Sequence, residues 1–300
     1  MGAPRAWLKL LLILPLVLAA PRVFADETVH HDSMLGSGKL LATGGVTQVE
    51  GAGGGGLVPW ALITGYGTQD QIGANVHYTL TYLSDFTLNS GGIAVGLYDR
   101  LELSYAHQSF DTRAAGGRLG LGRNFTFDTD VYGAKVRVWG NAVYDQDRLL
   151  PQISLGVQYK TNDSPGIIHA IGGKNSDGVD FYVAATKILL GQSLLLNATV
   201  RATKANQFGI LGFGGDKNNA YTAQFEGSLA LLLSRQLAIG GELRTKPDNL
   251  GFAREGMAGD VFLAYFFTKN LSATLAYVNL GDIALQKNQQ GVYLSLQAGF

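Results

Sequence analysis

Tyr221–Leu231 reads YTAQFEGSLAL, and its period decides the fold class. Tyr221, Ala223, Phe225, Gly227, Leu229 and Leu231 fall on one face, and Thr222, Gln224, Glu226, Ser228 and Ala230 on the other. A period of two is that of a β-strand with one apolar and one polar face. Leu194–Thr203 repeats the pattern, with Leu194, Leu196, Ala198, Val200 and Ala202 opposite Leu195, Asn197, Thr199, Arg201 and Thr203. Gln152–Lys160 does the same, and in Leu237–Arg244 the polar face carries Glu242 and Arg244. Such runs, roughly nine to eleven residues long, exceed the usual soluble strand and match a tilted strand crossing a bilayer.

Working outward, the alternation gives fourteen candidate strands, near 41–48, 59–66, 72–82, 91–97, 101–110, 129–139, 150–160, 179–189, 193–203, 220–232, 236–245, 257–267, 271–279 and 290–300. The first two are the weakest, because Gly44-Gly45 and the run Gly51–Gly56 adjoin them and glycine weakens a strand. Twelve strands plus an N-terminal insert is the alternative. Short connections occur at Tyr98–Arg100, Leu190–Gln192, Ser234-Arg235 and Thr268–Asn270. Long polar ones occur at 111–128, 161–178, 204–219, 246–256 and 280–289. The expectation is an all-β transmembrane antiparallel barrel with short periplasmic turns and long extracellular loops. Tyr82, Tyr105, Tyr132, Tyr159, Phe181, Tyr221 and Tyr277 all fall on apolar faces at the long-loop ends, as an aromatic girdle would.

Composition agrees. The 300 residues carry 23 bases and 23 acids, only 15% charged residues, and 41 glycines. Soluble domains average about 25% charged and roughly 7% Gly. Balanced charge leaves no basic footprint for nucleic acid. The absence of Cys excludes disulfides, thiol catalysis and Cys-ligated zinc.

The N-terminus reads as a secretory signal over residues 1–25. Arg5 and Lys9 precede the apolar run LLLILPLVLAA (Leu10–Ala20), and Val23-Phe24-Ala25 fits cleavage after Ala25. Removal takes Arg5, Lys9 and Arg22 and no acid, leaving 20 bases against 23 acids. Residues 26–40 are expected as a flexible periplasmic tail and 41–300 as the barrel. His30-His31 with Asp26, Glu27 and Asp32 could hold a metal only weakly in a mobile tail, so no metal and no cofactor is assigned.

On the final strand Val292, Leu294, Leu296, Ala298 and Phe300 share one face. An alternating strand ending in Phe resembles the C-terminal signal of Gram-negative outer-membrane proteins that the barrel-assembly machinery recognises. The chain is also similar to an uncharacterised outer-membrane family, a domain of unknown function. The resemblance rests on GGVTQVEGAGGGGLVPWALITGYGTQDQIGANVHYT (Gly44–Thr79) and DVFLAYFFTKNLSATLAYVNLGDIA (Asp260–Ala284). It implies an outer-membrane location, a barrel, and lipid and assembly machinery as partners. It implies no activity.

Three candidate sites remain. Glu102, Asp180, Glu226 and Glu242 with Lys135, Arg137, Lys160, Arg201 and Arg244 face inward on the polar faces. They either line a polar pore that sets selectivity for small solutes, or pair with one another inside a closed barrel. The Gly51–Gly56 run is no phosphate loop, since no Lys-Ser/Thr and no strand-to-helix context follows. It is expected as a flexible outer loop, with a plug inside the barrel as the alternative. His107-Gln108-Ser109 places His and Ser on one face at the spacing of outer-membrane phospholipases, but Phe110-Asp111 replace their Asn-Gly. No partner to orient the His is evident, so no enzymatic activity is assigned. The function classes are a porin-like channel first, a non-conducting structural or interaction barrel second, and a lipid-acting enzyme a remote third. An open lumen would favour the first and a filled one the second.

Overall fold

A computed structural model describes residues 38–44, 46–147 and 149–300. The signal peptide, its cleavage site, most of the tail and His30-His31 lie outside them. Two short strands come first, β1 (Val46–Thr47) and β2 (Gly53–Gly54), paired with each other. The long strands follow as β3 (Ile72–Leu83), β4 (Thr87–Leu97), β5 (Leu101–Asp111), β6 (Thr126–Trp139), β7 (Gln152–Asn162) and β8 (Asp177–Leu189). β9 (Leu194–Thr203), β10 (Thr222–Leu232), β11 (Leu237–Arg244), β12 (Ala258–Phe266), β13 (Leu271–Asn279) and β14 (Gln290–Gly299) complete the set. Helices α1 (Arg113–Arg118) and α2 (Pro165–Ala170) sit in two of the long loops.

Strands β3–β14 form a closed barrel of antiparallel neighbours, sealed where Gly291–Gly299 of β14 pairs with Asn75–Leu83 of β3. Closure satisfies every ladder edge, which lipid requires. The wall therefore has twelve strands, and the fourteen-strand expectation is corrected to its alternative. Residues 41–48 and 59–66 cannot be wall strands, because both edges they would need are already paired. Their described residues lie inside the barrel.

The facing inferred from the alternation holds around the wall. Phe225 is 64% exposed on the outside while Glu226 is buried on the inside. Leu103, Leu155, Val183, Val200, Leu229, Val261, Leu275 and Leu296 are likewise exposed, giving the apolar belt a barrel shows to lipid. The aromatic girdle is formed at the long-loop rim, with Tyr105, Tyr132 and Tyr159 side by side at ring-centroid distances of 5.3 and 6.4 Å. Phe181 and Tyr221 continue it at 6.2 Å. β4 starts at Thr87, earlier than expected, because Asn89-Ser90 looks like loop chemistry in sequence yet pairs in register with Leu80 and Thr79.

Candidate functional site: a filled, charged lumen

Every described residue from Thr43 to Gly67 is buried, so the segment that carries the glycine run threads the lumen. The outer-loop expectation for Gly51–Gly56 is thereby overturned in favour of the plug. Irregular backbone at membrane depth needs partners for its N–H and C=O groups, and the polar inner faces of the wall supply them. Ser90 Oγ and Gln108 Nε2 donate to the Val49 carbonyl at 2.7 and 2.8 Å. Glu102 accepts from the Gly53 and Thr64 amides at 2.9 and 2.8 Å. Ser154 Oγ donates to the Ala61 carbonyl at 2.6 Å, and Thr186 Oγ1 accepts from the Ala61 amide at 2.7 Å. Thr199 Oγ1 donates to the Pro59 carbonyl at 2.9 Å, and Gln297 Oε1 accepts from the Thr47 amide at 2.8 Å. The Trp60 indole donates to Ser228 at 2.9 Å.

Glycine at 53–56 follows from this tight fit. A Cβ on Gly54 would sit 2.3 Å from the Val58 carbonyl oxygen and 2.8 Å from Pro59 Cα, and one on Gly55 would sit 1.9 Å from Glu242 Oε1. A side chain at 54 would meet backbone, which cannot step aside as a flexible side chain can.

Among the nine inward charges read from the sequence, eight are at most 4% exposed. Five of them, Lys160, Asp180, Arg201, Glu226 and Arg244, are brought together around a tenth that sequence reasoning missed, Glu50. Arg244 grips this carboxylate from two nitrogens, Nη1 to Oε2 at 2.8 Å and Nη2 to Oε1 at 3.2 Å. Lys160 also contacts it, and Arg201 Nη2 lies 3.8 Å from Oε2. Asp180 and Glu226 complete the network, with Lys160 Nζ 2.8 Å from Asp180 and Arg201 Nε 2.5 Å from Glu226. Arg244 Nε lies 3.3 Å from Glu226. The guanidinium of Arg244 stacks over Phe208 at 4.2 Å and that of Arg201 over Tyr182 at 5.1 Å. Burial pushes the Glu50 carboxyl up, but Arg244, Lys160 and Arg201 outweigh it and hold the group well below the usual carboxylate range.

A second pair, Lys135–Glu102 at 3.0 Å, grips the other end of the segment: Lys135 Nζ donates to the carbonyls of Gly53 and Trp60 at 2.9 and 3.1 Å. Glu242 accepts from the Leu57 amide at 2.6 Å and from Ser228 Oγ at 2.6 Å. Arg137 stands apart, at the short-turn rim, where its guanidinium pairs with Asp99 at 2.6 Å and Asp99 also binds Lys39 at 2.8 Å. The inward charges therefore bind the inserted segment as well as one another.

Apolar layers close both ends. Toward the short turns, Leu41, Val46 and Trp60 face Ile188, Leu195, Ala230, Phe262 and Phe266 across a small apolar cavity. Toward the long loops, the turn Asn206–Gly209 folds inward, and Phe208, Ile210 and Leu211 are buried with Leu250 and the stacked Phe86–Phe110 pair. Lys160 donates to the Phe208 carbonyl at 3.0 Å, which ties this roof to the charged layer.

His107 and Ser109 lie on the outer face of β5. The orienting partner that the sequence did not reveal is Asp130 on the adjacent strand, whose Oδ1 is 2.9 Å from His107 Nδ1 and accepts from Tyr105 at 2.8 Å. No hydrogen bond joins Ser109 to His107 among the described residues, so the link from base to nucleophile is not formed.

Glu50 had one signal in the sequence. It is the sole charged residue between Lys39 and Asp70. Asp260 shares its face of β12 with Phe262, Ala264 and Phe266, so no polar face marks it in the sequence.

Three solved structures show the level of similarity to known barrels. A KdgM porin in complex with disordered oligogalacturonate is 14% identical, at a TM-score of 0.49 over 75% of this chain and 99% of that chain. A NanC porin is 10% identical, at 0.49 over 76% and 98%. An outer membrane channel from Pseudomonas putida F1 is 16% identical, at 0.44 over 81% and 97%. No curated protein matches in sequence. The family profile described as "Protein of unknown function (DUF3034)" matches residues 43–297, from the inserted segment through to the closing strand. The chain belongs to that family.

Proposed function

We propose that this chain is a porin-like channel of a Gram-negative outer membrane, closed at rest by its own segment 41–66. The observation that carries this reading is the nature of the contact between segment and wall. Each of the four buried lumen bases, Lys135, Lys160, Arg201 and Arg244, reaches a carbonyl or carboxylate of the segment. A permanent filling needs only apolar side chains, which avoid the desolvation cost of buried ions. Charges that rest on a removable segment become the lining of a water-filled passage once it leaves. In this reading residues 1–25 direct export and are cleaved after Ala25. The assembly machinery reads Val292, Leu294, Leu296, Ala298 and Phe300. The partners are membrane lipid and small solutes, and the barrel has no catalytic role.

The inward-folded roof at Phe208, Ile210 and Leu211 favours the second reading, a non-conducting structural or interaction barrel. Single-channel recording of refolded protein in a planar bilayer separates the two. Wild type should open rarely, whereas Glu50→Gln and Gly54→Val, which loosen the segment, should conduct steadily. Silence from all three proteins, each verified as folded by its heat-modifiable gel mobility, would establish the structural barrel.

A further inference from the structure

The wall groups around Glu50 are Lys160, Arg201 and Arg244 with Asp180 and Glu226. That is three bases and two acids, so the wall by itself holds one uncompensated positive charge, and Glu50 neutralises it. The match is geometric as well as electrostatic. The Arg244 fork meets both Glu50 oxygens, and planar guanidinium-to-carboxylate pairing of this kind is specific for a flat, bidentate anion. Phe208 and Tyr182 back the two guanidinium groups, so that Arg244 turns its donor edge to the Glu50 carboxylate while Arg201 donates to Glu226 and adds its charge 3.8 Å from Glu50. All five wall side chains are at least nine-tenths buried.

We infer that this pocket is a carboxylate-binding subsite of the channel, occupied at rest by the chain's own Glu50, and that the solutes it takes are small organic monocarboxylates. The inference rests on the channel reading, because a solute reaches the pocket only when segment 41–66 yields its place. One positive charge in excess fits one carboxylate. A doubly charged phosphate added to the acids Asp180 and Glu226 would leave one negative charge in excess, with no fourth base to offset it. A neutral solute would leave the bases unpaired, which buried charges do not tolerate.

Chemical rescue tests the pocket without relying on conductance. Glu50→Ala removes the resident carboxylate and leaves its volume free, so the thermal midpoint of the folded barrel should fall. Acetate should restore it, and the isosteric neutral acetamide should not. In the charge-balanced control Glu50→Ala/Arg244→Gln the fork is gone. Half-maximal rescue should then need roughly ten- to a hundredfold more acetate, the value of one charge-assisted contact. Equal rescue by acetamide, equal acetate requirements in the two variants, or no rescue of a folded Glu50→Ala barrel would each overturn the inference. If Glu50→Ala does not fold, acetate added during refolding should recover the barrel and acetamide should not, and failure of acetate there also overturns it. The channel reading is judged separately by conductance. Acetate rescue in a barrel that never conducts would leave the pocket standing and remove the solute pathway.

Discussion

Glu50 and Arg244 are separated by 194 positions, yet their side chains meet inside the barrel in a two-pronged contact of 2.8 and 3.2 Å. One residue belongs to the inserted segment and the other ends strand β11, so this pair fastens the filling to the wall. Its neighbours Lys160, Arg201, Asp180 and Glu226 are themselves buried, which makes the whole cluster sensitive to the loss of any one charge.

Removing one partner should be costly and removing both should be mild. Arg201→Gln leaves Glu226 and Asp180 short of a base at almost no exposure, and breaking a buried pair in this way costs roughly 3–5 kcal/mol. Glu50→Gln/Arg244→Gln keeps the charge balance and should cost clearly less. Urea unfolding in detergent micelles checks this, with Trp60 fluorescence reporting release of the segment. Equal losses for both variants would show that the charges act independently.

The lipid face can be separated from the lumen by one residue. Phe225→Arg places a charge on the outer belt, at a cost of roughly 2–4 kcal/mol if near the midplane, whereas Gln224→Arg points inward and should cost much less. The same unfolding assay in lipid vesicles decides it. A reversed order would mean that β10 is out of register.

Acid should not release the segment. The folded state holds the Glu50 carboxyl below its unfolded value, so its contribution is present above the unfolded pKa and is lost only as pH falls through the lower folded value. From pH 7 down to about 4, the ordinary Glu range, closure should persist. Bilayer recordings of wild type at pH 7 and pH 4 should therefore both be quiet. Opening near pH 4 in wild type would show that closure depends on a carboxylate other than Glu50, such as Glu242 on the Leu57 amide, or that Glu50 is not held in the way its three cationic partners imply.

Gly54→Val should expel the hairpin of β1 and β2, because the new side chain would strike the Val58 carbonyl and Pro59 backbone. Lys39, buried in wild type against the Ile63 carbonyl and Asp99, should then become a trypsin site while the wall stays intact. Continued protection of Lys39 would mean that the segment can shift without leaving.

At the seam, the Phe300 amide donates to Ala74 at 2.8 Å, and its carbonyl accepts from Ala74 and Tyr66 at 3.0 and 2.8 Å. Its ring is 52% exposed on the outside. Phe300→Ser keeps those backbone bonds and removes the ring, so a drop in assembled barrel in membrane fractions would isolate recognition of the side chain. Deleting Phe300 also removes the bonds and should be worse. Normal assembly of Phe300→Ser would refute the address.

The sequence alone determined which residues face lipid and which face the lumen. Side-chain direction along a strand is a local property with period two, so Phe225, Glu226 and the tyrosine girdle can be assigned without knowing any neighbour. It also carried the loop alternation and the inward set from Glu102 to Arg244. Tertiary structure decided the strand number and the contents of the barrel. Residues 41–48 and 59–66 alternate much as wall strands do, but β14 closes onto β3 and leaves them no edge. Their backbone instead bonds to Ser154, Thr186, Thr199 and Gln297, side chains distant in sequence that converge only once the cylinder forms. Asp130 reaches His107 by the same route, through strand register rather than sequence spacing. The meeting of Glu50 with Arg244, Lys160 and Arg201 is likewise a consequence of closure, because three separate strands supply the bases and only a closed wall points them at one carboxylate.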